Sequence, residues 1–289
     1  MRKFRMIFVA LLFFAVIGLS FHYLGTHNIA VLNPKGMIAA KQKQLFITTS
    51  LIMLIVVIPA IVLAFAFAWR YRHTNKNAKY TPEWAHNTLA EIIWWGVPFA
   101  IVVVLSFITY FSTHELNPFN PIVNGKKPLK IQVVALEWKW LFIYPEQGIA
   151  TVNYVQIPEK TPIDFEITAD APMNSFWIPQ LGGQIYAMPA MRTEMHLIAD
   201  EPGEYRGSSS HISGKGFAGM HFVTKATSEQ DFERWVSKAR SSSKTLNAVT
   251  YKGLVVPSEN NKPTLYVLGT KNLFDQIIDQ YKAPAKVGK

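Results

Sequence analysis

Between two strand-like runs lies Tyr205–His221, Y-R-G-S-S-S-H-I-S-G-K-G-F-A-G-M-H, the stretch with the most chemistry-bearing spacing in the chain. Ser209 and Ser213 sit four apart, Phe217 follows after four more and Met220 after three, while Gly207, Gly214, Gly216 and Gly219 supply the freedom of a tight loop. Soft metals call for deprotonated sulfur or imidazole, which neutral serine hydroxyls do not replace, and Phe217 has no lone pair to offer. Only Met220 could ligate, and a lone thioether is ordinarily core filler. The chain has eight histidines, of which His196, His211 and His221 fall in this strand-rich half. A copper or zinc centre would need the three to converge with a fourth ligand. His196 alternates with Met195 and Leu197 and is expected on the polar side of its strand, and His211 on a solvated loop, so no metal site is predicted. The sequence has no G-x-S-x-G, H-E-x-x-H or phosphate-binding glycine loop, and no catalytic residue is assigned.

Composition narrows the classes further. The 289 residues include no cysteine, which excludes disulfides, thiolate copper, iron–sulfur clusters and a lipid-modified cysteine. The formal charge of +10 suggests nucleic acid until its distribution is read: residues 1–114 carry 10 Lys/Arg against 2 acids, and residues 115–289 carry 19 against 17. The excess flanks apolar spans, where it sets topology. The rest offers no basic stripe for phosphates and no acidic face for a basic carrier such as cytochrome c.

The elements that must position these groups follow from hydropathy. Arg2, Lys3 and Arg5 precede apolar Met6–Phe21, which reads as an export signal or, alternatively, an uncleaved anchor (residues 1–24). Residues 25–117 read as a transmembrane hairpin with spans at about 45–69 and 92–111. Leu45–Trp69 holds no charge and is long enough, at ~1.5 Å per residue, to cross ~30 Å of hydrocarbon. Trp69, Arg70, Tyr71 and Arg72, followed by Lys76 and Lys79, place the connecting loop on the cytoplasmic side. Thr88 and Glu91 have capping-box spacing at the start of the second span. From Leu129 the chain breaks into short alternating runs, Lys130–Leu136, Val152–Ile157, Ile163–Thr168, Thr193–Ile198 and Met220–Thr224, the pattern of an antiparallel sandwich over residues 118–226. Beyond it, residues 227–289 read as a polar, helical C-terminal arm: Ser228 caps Glu229–Arg240, Ser241–Lys244 links, Leu273–Tyr281 forms a last helix, and 283–289 is expected to be disordered.

The 4-4-3 spacing of the glycine-rich loop resembles the copper loop of cytochrome c oxidase subunit II, in which the corresponding places hold two cysteines, a histidine and a methionine. Two further runs are similar to that family: Met173–Pro189 (M-N-S-F-W-I-P-Q-L-G-G-Q-I-Y-A-M-P), with Asn174 at the place of the other histidine, and the aromatic Val133–Pro145 (V-V-A-L-E-W-K-W-L-F-I-Y-P). With the two spans before them, these runs resemble subunit II of the bacterial cytochrome bo-type ubiquinol oxidases, the copper-less branch of the haem-copper oxidases, from about Asn33 into the arm. The resemblance implies a membrane-anchored all-β protein: a two-helix hairpin, a cupredoxin-like sandwich and a short arm. It implies that Asn174, Ser209, His211, Ser213, Phe217 and Met220 form a degenerate, non-ligating copper site. It also implies that Glu91, followed by Trp95 and Pro98, sits at the mouth of a proton channel of subunit I, a role compatible with capping. The chain would then be a non-catalytic subunit in the bacterial inner membrane, its large domain periplasmic. It would carry no cofactor of its own, beside a subunit I bearing haem and copper and other small membrane subunits, with ubiquinol as the substrate of the complex and neither cytochrome c nor nucleic acid as partner. The alternatives from other classes are a tethered cupredoxin electron carrier with a rearranged metal site and a free-standing periplasmic assembly or binding protein.

Overall fold

A computed structural model describes residues 2–27, 29–79 and 81–282, so the tail 283–289 lies outside the described residues. The chain divides into two compact units, residues 41–117 and residues 1–40 with 118–289. The N-terminal apolar stretch forms one helix, α1 (Arg2–Thr26).

The first unit is built by α2 (Met37–Arg70) and α3 (Thr88–Glu115), both long and apolar enough to span a bilayer, with nothing buried in their most apolar windows. Outward-facing Leu, Ile and Phe over that length suit hydrocarbon or another helix and would be untenable in water. Helix α2 starts eight residues before the charge-free run and takes in Lys41, whose Nζ meets Glu115 Oε1 at 2.6 Å. The start of α2 and the end of α3 are thereby on one side, as a hairpin requires. The expected capping box is corrected: the N-cap is Asn87, whose Oδ1 accepts from Ala90 N at 3.0 Å, because an Asn in extended conformation satisfies an orphan donor of the first turn. Glu91 therefore lies one residue beyond the capping-box position and is left for other work.

The second unit is a sandwich of two sheets. The strands are β1 (Leu129–Leu136), β2 (Lys139–Tyr144), β3 (Ile149–Val152), β4 (Tyr154–Pro158), β5 (Ile163–Ala169), β6 (Asn174–Trp177), β7 (Gln184–Ala187), β8 (Thr193–Leu197), β9 (Gly203–Ser209), β10 (His221–Thr227), β11 (Thr245–Leu246) and β12 (Thr264–Leu268). One sheet has the order β11-β12-β3-β2-β1-β5-β8 and the other β4-β10-β9-β6-β7. The expectation of a purely antiparallel sandwich does not hold. The pairs β1–β5, β4–β10 and β11–β12 are parallel, a choice that depends on contacts across the fold and leaves no local trace. The run Val152–Ile157 is also two strands, broken at Asn153, which adopts φ 53° and whose Oδ1 accepts from Trp140 N at 2.8 Å.

Alternation along β1 and β2 explains the layers. Ile131, Val133, Ala135, Trp140, Phe142 and Tyr144 face the second sheet and join Phe176 and Phe222 of that sheet in one core. Phe176 and Phe222 stack at 5.3 Å, and Trp140 sits edge-on to Phe176 at 5.4 Å. Val134, Leu136, Leu141 and Ile143 point the other way and are buried as well, beneath Leu246, Tyr251, Tyr266, Phe274 and Ile277. Their cover is the C-terminal arm, which holds α4 (Glu229–Arg240), α5 (Ala248–Val255) and α6 (Leu273–Asp279) and also contributes β11 and β12. Of the arm, the sequence predicts α4 with its Ser228 cap and a helix near 273–281; α5 and the two strands are additions from the structure.

Candidate functional site

The end of the sandwich where β6 begins and β9 meets β10 gathers most of the residues singled out by spacing. Ser209 closes β9, paired with Phe176, and its N–H donates to Met220 O at 3.3 Å. Its Oγ lies 3.0 Å from Asn174 Oδ1, to which it donates, with His211 O also in range at 3.1 Å; it accepts from the N–H groups of Ser175 and His211, both at 3.4 Å. Asn174 Nδ2 donates to Pro172 O at 2.8 Å, so this buried amide ties the β5–β6 turn to the loop. Met220 is 1 % exposed within the apolar core. Phe217 opens a single 3₁₀ turn, Phe217–Gly219, and the Ser213 carbonyl accepts from Trp138 Nε1 at 3.1 Å. The Ser213 hydroxyl is buried with no hydrogen-bond partner among the described residues.

The loop is shaped around two rings. A Cβ on Gly207 would stand 2.1 Å from Phe222 Cζ, and one on Gly216 would stand 2.4 Å from the Trp138 ring. Both glycines are there because aromatic side chains occupy the space.

A dinuclear copper centre, the group that the copper-bearing branch holds here, does not fit these residues. Hydroxyl, amide and benzyl groups present no thiolate or imidazole at the four spaced positions, and Ser209 and Asn174 spend their polar atoms on each other and on backbone. Among the described residues no group of three or more His, Asp or Glu is placed to hold a metal ion. His196 does project away from Met195 and Leu197, yet it is only 9 % exposed, because Asp164 Oδ1 holds its Nδ1 at 2.7 Å. It is thus a covered hydrogen-bond partner of Asp164 rather than a solvent-facing residue. His211 and His221 do not join it in a cluster.

Several residues that brace the site escape a reading of the sequence. Asp170, four residues before Asn174, receives the hydroxyls of Tyr251 and Tyr281 from the arm, each at 2.5 Å. Burial and then this carboxylate push the Tyr281 phenol up to about 12 and raise Tyr251 further, so both remain protonated donors. Arg192 reaches Glu166 at 3.5 Å, pairs with Asp275 of α6 and lies over the Phe274 ring at 5.4 Å. Glu166 is nearly covered. Burial alone would raise its pKa, but hydrogen bonds from Gln132 (2.9 Å) and Lys130 (3.1 Å), with the charge of Arg192, hold it below the ordinary value. Lys139, 2 % exposed, donates to Val256 O (2.8 Å) and Ser258 Oγ (2.5 Å), and burial lowers its pKa against a partial counter-pull from Glu137. A single lysine inside W-K-W-L-F-I-Y is the available signal for it. Through Asp170, Arg192 and Lys139 the arm is latched to the seven-stranded sheet, the layer that faces the sheet carrying the loop.

In the helical unit Glu91 lies in the first turn of α3, one-third exposed, its Oε1 2.5 Å from Nδ1 of His86, an imidazole that is 80 % exposed.

Fold and site together define a membrane-anchored, cupredoxin-like sandwich whose glycine-rich loop presents no thiolate or imidazole at its four spaced positions. Residues 144–227 match the family described as Cytochrome C oxidase subunit II, periplasmic domain, and residues 240–285 match the COX Aromatic Rich Motif. The second match covers the arm that supplies Tyr251, Tyr266 and Tyr281. Similar whole chains include the cytochrome bo(3) ubiquinol oxidase subunit 2 of Pseudomonas putida, 48 % identical over 88 % of this chain and 81 % of the relative. The ubiquinol oxidase subunit 2 of Acetobacter aceti is 50 % identical over 87 % and 82 %. Among solved structures, the periplasmic domain of subunit II of cytochrome oxidase from Bradyrhizobium japonicum aligns with 40 % of this chain and 96 % of that one, at 23 % identity and a TM-score of 0.38. At these identities and lengths the chain belongs to the ubiquinol oxidase subunit 2 family.

Proposed function

We propose that the chain works as the non-catalytic second subunit of a proton-pumping ubiquinol oxidase in the bacterial inner membrane, its sandwich on the periplasmic side. The observation that carries this is the Ser209–Asn174 hydrogen bond in the seats where the related copper loop needs sulfur and imidazole. A donor dissolved in the bilayer makes an external electron relay unnecessary. Ubiquinol would pass electrons to haem in subunit I, whose haem-copper centre would reduce dioxygen to water. This chain would contribute shape and proton access: the hairpin α2–α3 clamps the catalytic helices, and the sandwich, stiffened by the arm, caps them.

Glu91 is the residue assigned to proton traffic. A carboxylate at a helix N-terminus, one-third exposed and touching a solvent-exposed imidazole, can exchange protons with water on one side and pass them inward on the other. Detergent purification of the full chain with whatever co-assembles tests the whole reading. The expected result is a haem-bearing complex that consumes oxygen when given ubiquinol, with this chain free of copper. Stoichiometric copper bound to this chain would overturn it in favour of the tethered carrier; a haem-free preparation would favour the assembly protein.

A further inference from the structure

The loop between α2 and α3 does more than reverse the chain. It folds back on the end of α2, where Asn75 Nδ2 donates to Arg70 O (2.6 Å), and turns within the loop follow, Asn75 N donating to Arg72 O (2.9 Å) and Trp84 N to Thr81 O (3.3 Å). The fold leaves an open recess of about 790 Å³ whose walls include Phe67, Tyr71, His73 and Trp84 and whose cations are Arg72 and Lys79. That size lies in the ~300–1,000 Å³ range of small-molecule sites. Arg72 is preset, its guanidinium 4.3 Å over the Trp69 ring and its Nε donating to Thr74 Oγ1 at 3.2 Å. The described contacts give Arg72 and Lys79 no carboxylate partner, and Glu83, the one acid between Arg70 and Asn87, does not line the recess. The two halves of the lining differ in kind. Phe67 belongs to the apolar stretch of α2 and suits acyl chains, whereas Arg72 and Lys79 lie in the loop past the helix end at Arg70, where headgroup phosphates would meet them.

We propose that this recess binds the phosphate of an anionic phospholipid from the leaflet on the loop's side, with an acyl chain running along Phe67. The inference rests on α2 and α3 spanning a bilayer and on nothing about the oxidase chemistry. Topology alone would make every cation of the loop equivalent. A binding site makes them unequal, because Lys76 does not line the recess although it carries the same charge in the same loop.

The test compares Arg72→Gln with Lys76→Gln in the full-length chain, purified with its co-assembled subunits, and counts retained phospholipid by native mass spectrometry. Preparations are reconstituted in nanodiscs of phosphatidylglycerol or of phosphatidylcholine before extraction. The wild type should keep one phosphatidylglycerol and exchange it poorly for phosphatidylcholine; Arg72→Gln should retain it about fivefold less, the equivalent of one interfacial cation. Lys76→Gln should stay close to the wild type, and Arg72→Lys, which keeps the charge but loses the guanidinium stacked on Trp69, should fall between the wild type and Arg72→Gln. Equal losses in Arg72→Gln and Lys76→Gln would overturn the site, as would equal retention of phosphatidylcholine. Displacement by millimolar inorganic phosphate would overturn the lipid assignment. Because lipid retention is read without turnover, a chain that failed to assemble into an oxidase would still show whether the recess holds a lipid.

Discussion

Phe274 offers the sharpest test of the claim that the arm is a structural half of the sandwich. It is 1 % exposed, lies in the cluster formed by Val134, Leu141, Ile143 and Tyr266, and carries Arg192 over its ring. Removing a buried phenyl group costs about 3–5 kcal/mol, and loss of the half-exposed cation–π contact adds about 0.5–1 kcal/mol. Phe274→Ala should therefore destabilise the unit by about 4 kcal/mol and lower its Tm by roughly 10 °C. The loss should fall first on the arm's docking, since β12 meets the rest of its sheet through the pairing from Thr264↔Val152 to Val267↔Ile149. Hydrogen exchange at Leu265–Val267 in the detergent-solubilised chain reads this directly, and 4 kcal/mol corresponds to roughly a thousandfold faster opening. Val249→Ala is the control, on α5 of the same arm but 80 % exposed, and should cost under about 0.5 kcal/mol. If the two variants melted and exchanged alike, the arm would be an appendage and the two-faced burial of the seven-stranded sheet would be wrong.

Four further outcomes concern the loop, the buried acid and the helical hairpin. Ser209→Ala, which breaks the link to Asn174, should cost about 1–2 kcal/mol, whereas Ser213→Ala, which removes an unpartnered buried hydroxyl, should be neutral or stabilising in a thermal melt. Gly216→Ala forces a methyl into the Trp138 ring and should cost about 1–3 kcal/mol, with a change in tryptophan fluorescence. Glu166 is held below its ordinary pKa in the fold, so its contribution is complete above its unfolded value of about 4.3 and is lost as pH falls through the folded value; Glu166→Gln should flatten that acid limb of stability against pH. Glu91→Gln should slow quinol-driven oxygen uptake several-fold in an assembled complex, and an unchanged rate would leave Glu91 only an electrostatic role beside His86.

How much of the fold and site is legible in the sequence depends on the range of the interactions. The spans announce themselves because Leu45–Trp69 lacks charge, and the ligandless loop is visible because Ser209, Ser213 and Phe217 contradict a spacing that only Met220 fits. The cap of α3 differs from the sequence expectation by one residue, since Thr88 is also a competent cap and only the backbone decides for Asn87. The arm's strands are not legible locally: Thr264–Leu268 sits among polar residues, and its partner β3 lies over a hundred positions earlier. A clue is nevertheless present in W-L-F-I-Y, apolar at consecutive positions, which no one-sided sheet would need. Such a run demands two covers, and the arm is the second. Asp170 and Arg192 give no such sign, because their partners are brought near only by the arm's return.

The edge of β3 has a consequence for biogenesis. Until residues 264–268 arrive, Ile149–Val152 presents unpaired amides and carbonyls beside a bare hydrophobic face, the combination that recruits other strands. The sandwich is thus sticky throughout the interval between its own emergence and that of the segment that seals it. A chaperone holding the polypeptide during translocation, or a neighbouring subunit already in place, would be needed in that window and superfluous afterwards.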